Sequence, residues 1–167
     1  MKRIALTRGK TAVVDDADYR FVSGFKWRAM PANNGRSWEG ATWYAGTGRN
    51  TRMMHRIIMK APKGVQVDHR NRDGLDNRRR NLRLATRGQQ RANSGRSKPP
   101  GGSRFKGVSW WKGHGHDAMW RARLQKDGKV YIRYSTNEEE AAEMYNKMAA
   151  AHFGSYAKLN VVKETRR

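Results

Sequence analysis

Residues 67–93 read VDHRNRDGLDNRRRNLRLATRGQQRAN. An apolar strand, VQVDH at residues 65–69, ends in an acid and an imidazole, and a loop of arginines and asparagines follows it. NLRLAT, residues 81–86, is a second short extended segment, and Thr86 with Gln89 at capping-box spacing begins a helix. The stretch therefore predicts the order strand, loop, strand, helix, with Asp68 and His69 at the end of the first strand.

Asp68 and His69 carry two groups that hydrolysis of a phosphodiester needs. A carboxylate can hold a hard divalent cation, and a neutral imidazole can take a proton from the attacking water. The helix near Thr86 can return Gln90 or Asn93 as a second oxygen ligand, and its N-terminal dipole favours a phosphate nearby. Spacing alone leaves a second interpretation open, in which Asp68 caps the turn and His69 lies at the surface.

The charge of the chain indicates a nucleic acid as its partner. Its 167 residues hold 36 Lys+Arg against 14 Asp+Glu, a formal net charge of +22. Self-repulsion on that scale is relieved when a polyanion neutralises it. The chain has no cysteine, which excludes disulfides and thiolate zinc sites, and it has no apolar run near the ~20 residues that span a bilayer.

The residues before this stretch predict strands, turns and one short helix. In residues 1–52, RIALT and TAVVDD flank a tight turn, and KWRAM and ATWYAG flank a longer Gly/Asn-rich loop, which predicts two hairpins. MMHRIIMKAP has the spacing of a short buried helix face that Pro62 ends. We expect residues 1–52 to frame the centre, with Arg49 and Arg52 touching DNA.

The residues after it predict a linker and a second folded segment. SGRSKPPGGSR, residues 94–104, has the composition of a linker. FKGVSWW, MWRARLQ and KVYIRYS then alternate as three strands, the last two joined by the tight turn KDGK. TNEEEAAEMYNKMAAAHFG is an amphipathic helix that begins at Thr136 or Asn137 and ends at Gly154. A three-stranded antiparallel sheet packed on this helix is the simplest way to bury its apolar stripe.

The central stretch resembles the HNH endonucleases of the homing type found in phages and introns. The motif elements stand here as Val67-Asp68-His69, Asp76-Asn77-Arg78, Asn81-Leu82-Arg83 and Thr86 to Gln90. The resemblance implies a ββα-metal centre in which His69 is the general base and Asp68 binds Mg²⁺, or Mn²⁺ in its place, and no zinc. It also implies that Asn81 is catalytic, by hydrogen bonding the ring of His69 and fixing its tautomer.

Two positions leave alternatives open within this resemblance. The last motif residue of the family is usually Asn or His, and Gln90 stands there, so the second metal ligand is Gln90 or Asn93. His55 falls where the family tends to have histidine, and it either contacts phosphate, buttresses the centre or is packed structurally.

Residues 104–160 resemble the AP2 DNA-binding domain, first known from plant transcription factors. The resemblance rests on Phe105-Lys106-Gly107-Val108, Trp120 to Leu124, Gly128-Lys129, Tyr145-Asn146, Ala149-Ala150, Gly154, Ala157 and Asn160. It implies that the sheet lies in the major groove of DNA. The predicted DNA contacts of the whole chain are Arg70, Arg72, Arg78, Arg83, Arg87, Lys106, Trp110, Arg121, Arg123 and Arg133.

The fold class expected is α+β, a ββα-metal nuclease domain with an N-terminal β-hairpin extension linked to a three-stranded antiparallel sheet and one helix. The nuclease domain is expected to cover residues 1–93, of which 1–52 are its strand-rich segment. The linker covers 94–103, the DNA-binding domain 104–160 and a basic tail 161–167.

We expect a monomeric, metal-dependent endonuclease that nicks double-stranded DNA. It would be cytoplasmic and phage-encoded in a bacterial host, with no membrane or protein partner. The alternatives are a sequence-specific DNA-binding protein with an inactive centre, and a basic RNA-binding protein.

Overall fold

The computed structural model describes residues 1–32, 42–48, 51–95, 102–112 and 119–162. The chain forms two compact units, Met1–Arg87 and Gly88–Arg167. Together they are a mixed α/β structure, in agreement with the expected fold class at that level. Arg49, most of the predicted linker and most of the predicted basic tail lie outside the described residues.

The N-terminal hairpin forms as the sequence predicts. β1 (Lys2–Ala5) pairs antiparallel with β2 (Thr11–Val14), with Ile4 opposite Ala12. Arg8 and Gly9 both have left-handed backbone, with φ of 61° and 62°, in the turn between them. That geometry matches the twist of a two-residue hairpin turn and aligns the two strands.

An α-helix follows where the sequence predicts strands and turns. α1 (Asp16–Ser23) has Asp16 and Asp18 in its first turn, where acidic side chains favour the positive end of the helix dipole. Asp18 is buried and its carboxylate accepts bonds from the guanidinium of Arg79, at 2.7 and 2.9 Å. The prediction is wrong here because the partner that stabilises this short helix lies far along the chain.

The strands of the second hairpin and the short helix form, but the helix starts after Met53 and ends at Ile58, before Pro62. β3 (Arg28–Pro31) pairs antiparallel with β4 (Trp43–Thr47), and β4 pairs with the two-residue β5 (Arg52–Met53). α2 (Met54–Ile58) starts directly after β5, with Met54 and Ile58 among the most deeply buried side chains of the chain.

The central stretch has the predicted order of elements. β6 (Gln66–His69) pairs antiparallel with β7 (Leu82–Ala85), a 3-10 turn spans Arg79–Asn81, and α3 (Arg87–Asn93) follows. The core of the first unit joins β6 and β7 to the hairpins and helices before them through Ile4, Leu6, Val14, Val22, Trp27, Met54, Ile58, Val67 and Leu82. Each fully buried side chain of this kind contributes roughly 1.5–3 kcal/mol.

The second unit contains the predicted sheet and helix. β8 (Val108–Trp111), β9 (Met119–Lys126) and β10 (Lys129–Ser135) form an antiparallel sheet in the order β10-β9-β8. α4 (Glu138–Phe153) is capped by Asn137, whose Oδ1 accepts from the backbone N–H of Glu140 at 3.0 Å. Its stripe of Ala141, Ala142, Tyr145 and Ala149 packs on Val108, Ala122 and Leu124 of the sheet.

α3 belongs to the second unit, apart from its first residue. The Nζ of Lys106 donates to the carbonyls of Arg91 and Ser94 at 3.2 and 2.8 Å, and the N–H of Lys158 donates to the carbonyl of Ala92 at 2.9 Å. The division of the chain thus falls before Gly88, whereas the sequence places the end of the first domain at residue 93. The sequence-based domain limits stay a prediction.

Candidate active site

Asp68 and His69 are the last two residues of β6, and both are 5% exposed. Opposite them on β7 stand Arg83 and Leu82. Burial of both side chains excludes the interpretation in which His69 is a surface residue beside a capped turn. An acid and an imidazole held inside the fold at the end of a strand need a polar environment, which the neighbouring residues supply.

Asp68 is bound by Arg83. The Nε and Nη2 of Arg83 lie 2.8 and 2.7 Å from Oδ2 of Asp68, and both side chains are buried. The sequence prediction that Arg83 contacts DNA is therefore wrong, because strand pairing places its guanidinium on a buried carboxylate. Removal of one partner from such a pair leaves an uncompensated charge inside the protein.

His69 lies in a cluster of rings and amides. Its ring centroid is 5.0 Å from that of His55, edge-on, and 5.8 Å from that of Tyr44. Nε2 of His69 is 3.4 Å from Oδ1 of the fully buried Asn77. A carbonyl oxygen only accepts hydrogen bonds, so this contact favours the tautomer that carries its proton on Nε2 and has Nδ1 as the basic nitrogen.

Burial keeps the imidazole of His69 neutral. Burial lowers the pKa of His69, although the hydrogen bond with Asn77 and the carboxylates of Asp68, Asp73 and Asp76 oppose that shift. Burial also raises the pKa of Tyr44, with a smaller contribution from Asp68. The site thus presents an unprotonated base beside a neutral phenol at neutral pH.

Asn81 is placed differently from the expectation. Its Oδ1 accepts from the backbone N–H of Asn71 at 3.0 Å, and its Nδ2 donates to Asn71 Oδ1 and to the carbonyl of Asp76 at 2.9 and 2.8 Å. The expected hydrogen bond from Asn81 to the ring of His69 does not form, because the loop already uses both groups of the amide. Asn77 contacts the ring instead, and Asn81 holds the loop that carries Asn77.

The loop between β6 and β7 is also held by the N-terminal hairpin and by β4. The backbone of Val13 in β2 bonds with the carbonyl of Leu75 and the N–H of Asn77, both at 2.8 Å. Gly74 donates its N–H to Thr42 Oγ1 at 2.7 Å, and a Cβ at Gly74 would overlap the carbonyl of Trp43 and the ring of Tyr44. Elements that the sequence predicts only as a frame are therefore part of the centre.

His55 is a buried neighbour of His69 in α2. It is 9% exposed, and its Nδ1 is buried and has no hydrogen-bond partner. Burial, followed by the charges of His69 and Arg56, lowers the pKa of His55 to about 3. Its edge-on contact with the ring of His69 fits the expectation of a buttress to the centre better than that of an exposed phosphate contact.

The predicted second metal ligands stand on α3. Gln90 is half-buried and Asn93 is buried, and both belong to the second unit. Asp68 lies in the first unit, so the sharing of one ion between them stays a prediction. Among the described residues, no three His, Cys, Asp or Glu side chains group so as to hold a metal ion.

The predicted DNA contacts of the first unit divide into exposed and paired cations. Arg70, Arg72 and Arg87 are exposed. Arg78 binds Asp76 through Nε and Nη2, at 2.7 and 2.6 Å, and thereby lowers the pKa of that carboxyl. The guanidinium of Arg78 is thus bound to a carboxylate of its own loop, as that of Arg83 is bound to Asp68.

Strand register sorts the predicted contacts of the second unit by sheet face. Ala122 and Leu124 face α4, so Arg121 and Arg123 point to the opposite face, which we call the α4-distal face. Their cross-strand partners Ser109, Tyr134 and Ile132 share that face, as does Trp111, whose ring is 5.0 Å from that of Tyr134.

Trp110 and Arg133 lie on the α4 side of the sheet by the same register, opposite Trp120 and Ala122. Trp110 is 52% exposed and packs edge-on against Trp120 at 4.9 Å. Lys106 lies before β8, and the chain turns at Gly107, with φ of 72°, between Lys106 and the strand. The ammonium of Lys106 binds carbonyls at the end of α3.

Sequence analysis missed two residues of the centre, Tyr44 and Asn77, as neighbours of His69. Asn77 stands inside the motif quoted from the sequence, and this position could have identified it as a residue of the centre. Tyr44 carries no local signal, because only the packing of Gly74 on β4 brings its ring to His69. No helix in the described ranges is long and apolar enough to cross a membrane.

Comparison with known proteins identifies the family. A family model described as HNH endonuclease matches residues 52–92, which hold β5, α2, β6, β7 and most of α3. An uncharacterized HNH endonuclease of Acanthamoeba polyphaga mimivirus is 30% identical over 158 residues, 93% of this chain and 77% of that protein. No solved structure matches the chain. The buried Asp-His pair at the end of β6 lies in the segment that the family model covers, and the chain belongs to the HNH endonucleases.

Proposed function

We propose that this chain is a metal-dependent endonuclease that nicks double-stranded DNA, with His69 as the general base. The observation that carries the proposal is the buried, neutral imidazole of His69, oriented by Asn77 and packed against Tyr44 and His55, with the buried Asp68 next to it in sequence. Family membership supports nuclease activity and a DNA substrate.

The donors present suit a hard divalent cation. HNH nucleases generally use a divalent metal ion. Asp68 would hold it through a carboxylate oxygen, with Gln90 or Asn93 as the amide ligand, and oxygen donors of this kind select Mg²⁺ or Mn²⁺ over zinc. The bound ion would stabilise the charge that develops on the phosphoryl group and on the leaving 3′-oxygen.

The side chains of the centre have separate roles in this proposal. Nδ1 of His69 takes a proton from the water that attacks the phosphorus in line, and the products carry 5′-phosphate and 3′-hydroxyl ends. Asn77 keeps the other nitrogen protonated, and Asn81 keeps Asn77 in place through the loop. One such centre in a monomer cuts one strand, so nicking is the expected outcome.

The second unit supplies DNA binding in this proposal. Its antiparallel sheet with one helix, together with its motif residues, supports an AP2-like module whose α4-distal face meets the duplex through Arg121 and Arg123. The homing type, the monomeric state, the cytoplasmic location and the phage-encoded origin belong to the same proposal.

One observation favours the alternative of a DNA-binding protein with an inactive centre. The carboxylate of Asp68 is engaged by Arg83, and a divalent ion has to share that carboxylate with a guanidinium. The two functions differ in whether the protein cleaves DNA, so one assay separates them.

The test is cleavage of supercoiled plasmid with Mg²⁺ by wild type, His69→Ala and His152→Gln, with a chelator as blank. We expect wild type and His152→Gln to nick, and His69→Ala to be slower by about 100-fold or more, because general-base catalysis contributes about 10²–10⁴. Wild-type protein that binds the plasmid without nicking it establishes the inactive-centre alternative. Equal rates for wild type and His69→Ala exclude His69 as the base.

A further inference from the structure

The turn between β1 and β2 is held in one conformation on both sides. Leu6 donates its N–H to the carbonyl of Lys10 at 2.9 Å, and Thr7 Oγ1 accepts from the N–H of Ala29 in β3 at 3.0 Å. Arg8 and Gly9 in between have left-handed backbone. The turn therefore presents its side chains from a rigid support.

Two cations of this turn surround one indole. The guanidinium carbon of Arg8 is 5.5 Å and the ammonium of Lys10 is 5.4 Å from the ring centroid of Trp43. The negative face of the ring attracts each of them, but it does not neutralise their charges. Both cations therefore remain able to attract an anion.

Neither cation has a carboxylate partner in the described part of the chain. Arg78, Arg79 and Arg83, which lie in the same unit, are each bound to an aspartate. Arg8 is exposed, Lys10 is half-buried, and both contact the indole of Trp43. They can thus receive an external anion, whereas the arginines of the ion pairs already hold a carboxylate.

The turn is connected through Trp43 and β2 to the loop that follows Asp68 and His69. The carbonyl of Trp43 touches Gly74, at the middle of that loop. β2, which continues directly from the turn, pairs with the loop at residues 75–77. The exposed Arg70 and Arg72 stand on the same loop. Trp43, which the two cations contact, and β2 thus connect the turn to the loop that carries Arg70 and Arg72.

We propose that Arg8 and Lys10, held on Trp43, bind backbone phosphates of the DNA that the centre acts on. The inference rests on the proposed function and adds to it a phosphate-binding element in the N-terminal hairpin. The contacts are to phosphate oxygens, so they set the position of the duplex and carry no sequence preference.

The experiment compares two double variants that lose equal charge. Arg8→Asn/Lys10→Gln removes the two cations of the turn, and asparagine is chosen because it tolerates left-handed backbone. Arg20→Gln/Lys63→Gln removes two exposed cations elsewhere in the first unit and is the control. Affinity for a labelled duplex is measured by fluorescence anisotropy in chelator, over a range of salt concentrations, with thermal unfolding as a check of folding.

We expect the slope of log affinity against log salt to become smaller by about two for Arg8→Asn/Lys10→Gln and to stay near the wild-type value for the control, because each phosphate contact contributes about 0.9. Arg8→Lys/Lys10→Arg, which keeps both charges, should bind as wild type does. Equal slopes for the two charge-losing variants overturn the inference, and if wild type still nicks plasmid, the proposed function stands. Failure of wild type to bind DNA overturns both.

Discussion

Arg83 shows how a residue that looks like a DNA contact can be structural. It is buried on Asp68, with two bonds to one carboxylate oxygen. The side chain of Arg83 is hardly exposed to solvent, and its partner Asp68 is the residue proposed to bind the metal ion. The same ion pair therefore supports the fold and orients the carboxylate of Asp68.

We expect Arg83→Met to lower the free energy of unfolding by about 3–5 kcal/mol, because it leaves the charge of Asp68 buried and unpaired. Urea denaturation measures this loss, and Arg80→Met, at an exposed position, is the control. Asp68→Asn/Arg83→Met should recover most of the loss, since no unpaired charge remains. A stable Arg83→Met protein with weakened DNA binding would instead return Arg83 to the DNA interface.

His55 predicts a specific loss of stability in acid. Its pKa is lowered from 6.5 to about 3 in the folded chain, so the unfolded chain binds this proton more readily. The contribution of the neutral His55 to the free energy of unfolding is therefore fully present above pH 6.5, and it is lost as the pH falls from 6.5 toward 3. Other acid-sensitive groups contribute too, so the comparison is with His55→Gln, which cannot titrate.

The free energy of unfolding of wild type and of His55→Gln should converge by roughly 1.4 kcal/mol for each pH unit below about 6.5. Chemical denaturation at several pH values measures both. Parallel stability curves between about pH 7 and pH 4 would show that the imidazole of His55 is protonated in the folded chain as easily as in the unfolded one.

The two faces of the sheet in the second unit can be tested separately for DNA binding. Arg121 and Arg123 share the α4-distal face with Trp111 and Tyr134. Lys129 and Arg133 lie on the α4 side, opposite Lys126 and Ala122. An interface on one face of a sheet depends on the side chains of that face, because neighbouring residues of a strand point in opposite directions.

Arg121→Gln/Arg123→Gln should weaken duplex binding and make the salt slope smaller by about two, whereas Lys129→Gln/Arg133→Gln should leave the slope near that of wild type. Anisotropy titrations of the full chain measure both variants, which lose equal charge. The reverse order of effects would place DNA on the α4 side of the sheet, where Trp110 is exposed.

At the scale of the whole molecule, local patterns predicted most elements. Alternating apolar residues predicted the strands, and the Asp127-Gly128 turn predicted the last hairpin. Thr136 or Asn137 was predicted to begin α4, and Asn137 is its cap. α1 was missed because Arg79, which binds its buried Asp18, lies 61 positions away. The acidic first turn was its local signal, but the ion pair that stabilises it depends on a distant side chain.

The same reason limited the prediction of the centre. The motif gave residue types at Asp68, His69 and Asn81; the first two end β6 and are buried, and their roles stay a prediction. Which of two asparagines reaches the histidine depends on how the loop folds, and the loop folds against β2 and β4. Charge counting likewise could not separate Arg78 and Arg83, which are bound to carboxylates, from Arg70 and Arg72, which are exposed.

The pairing of Val13 with residues 75–77 also orders events during synthesis of the chain. The first hairpin emerges from the ribosome early, but its partner loop follows only after α1, β3, β4, α2 and β6 have been made. Contacts of such long separation close slowly, because the intervening chain has to be ordered first. Asn77 therefore reaches His69 only after the loop has been made and has paired with β2, so the ring of His69 is oriented later than the strand that carries it is synthesised.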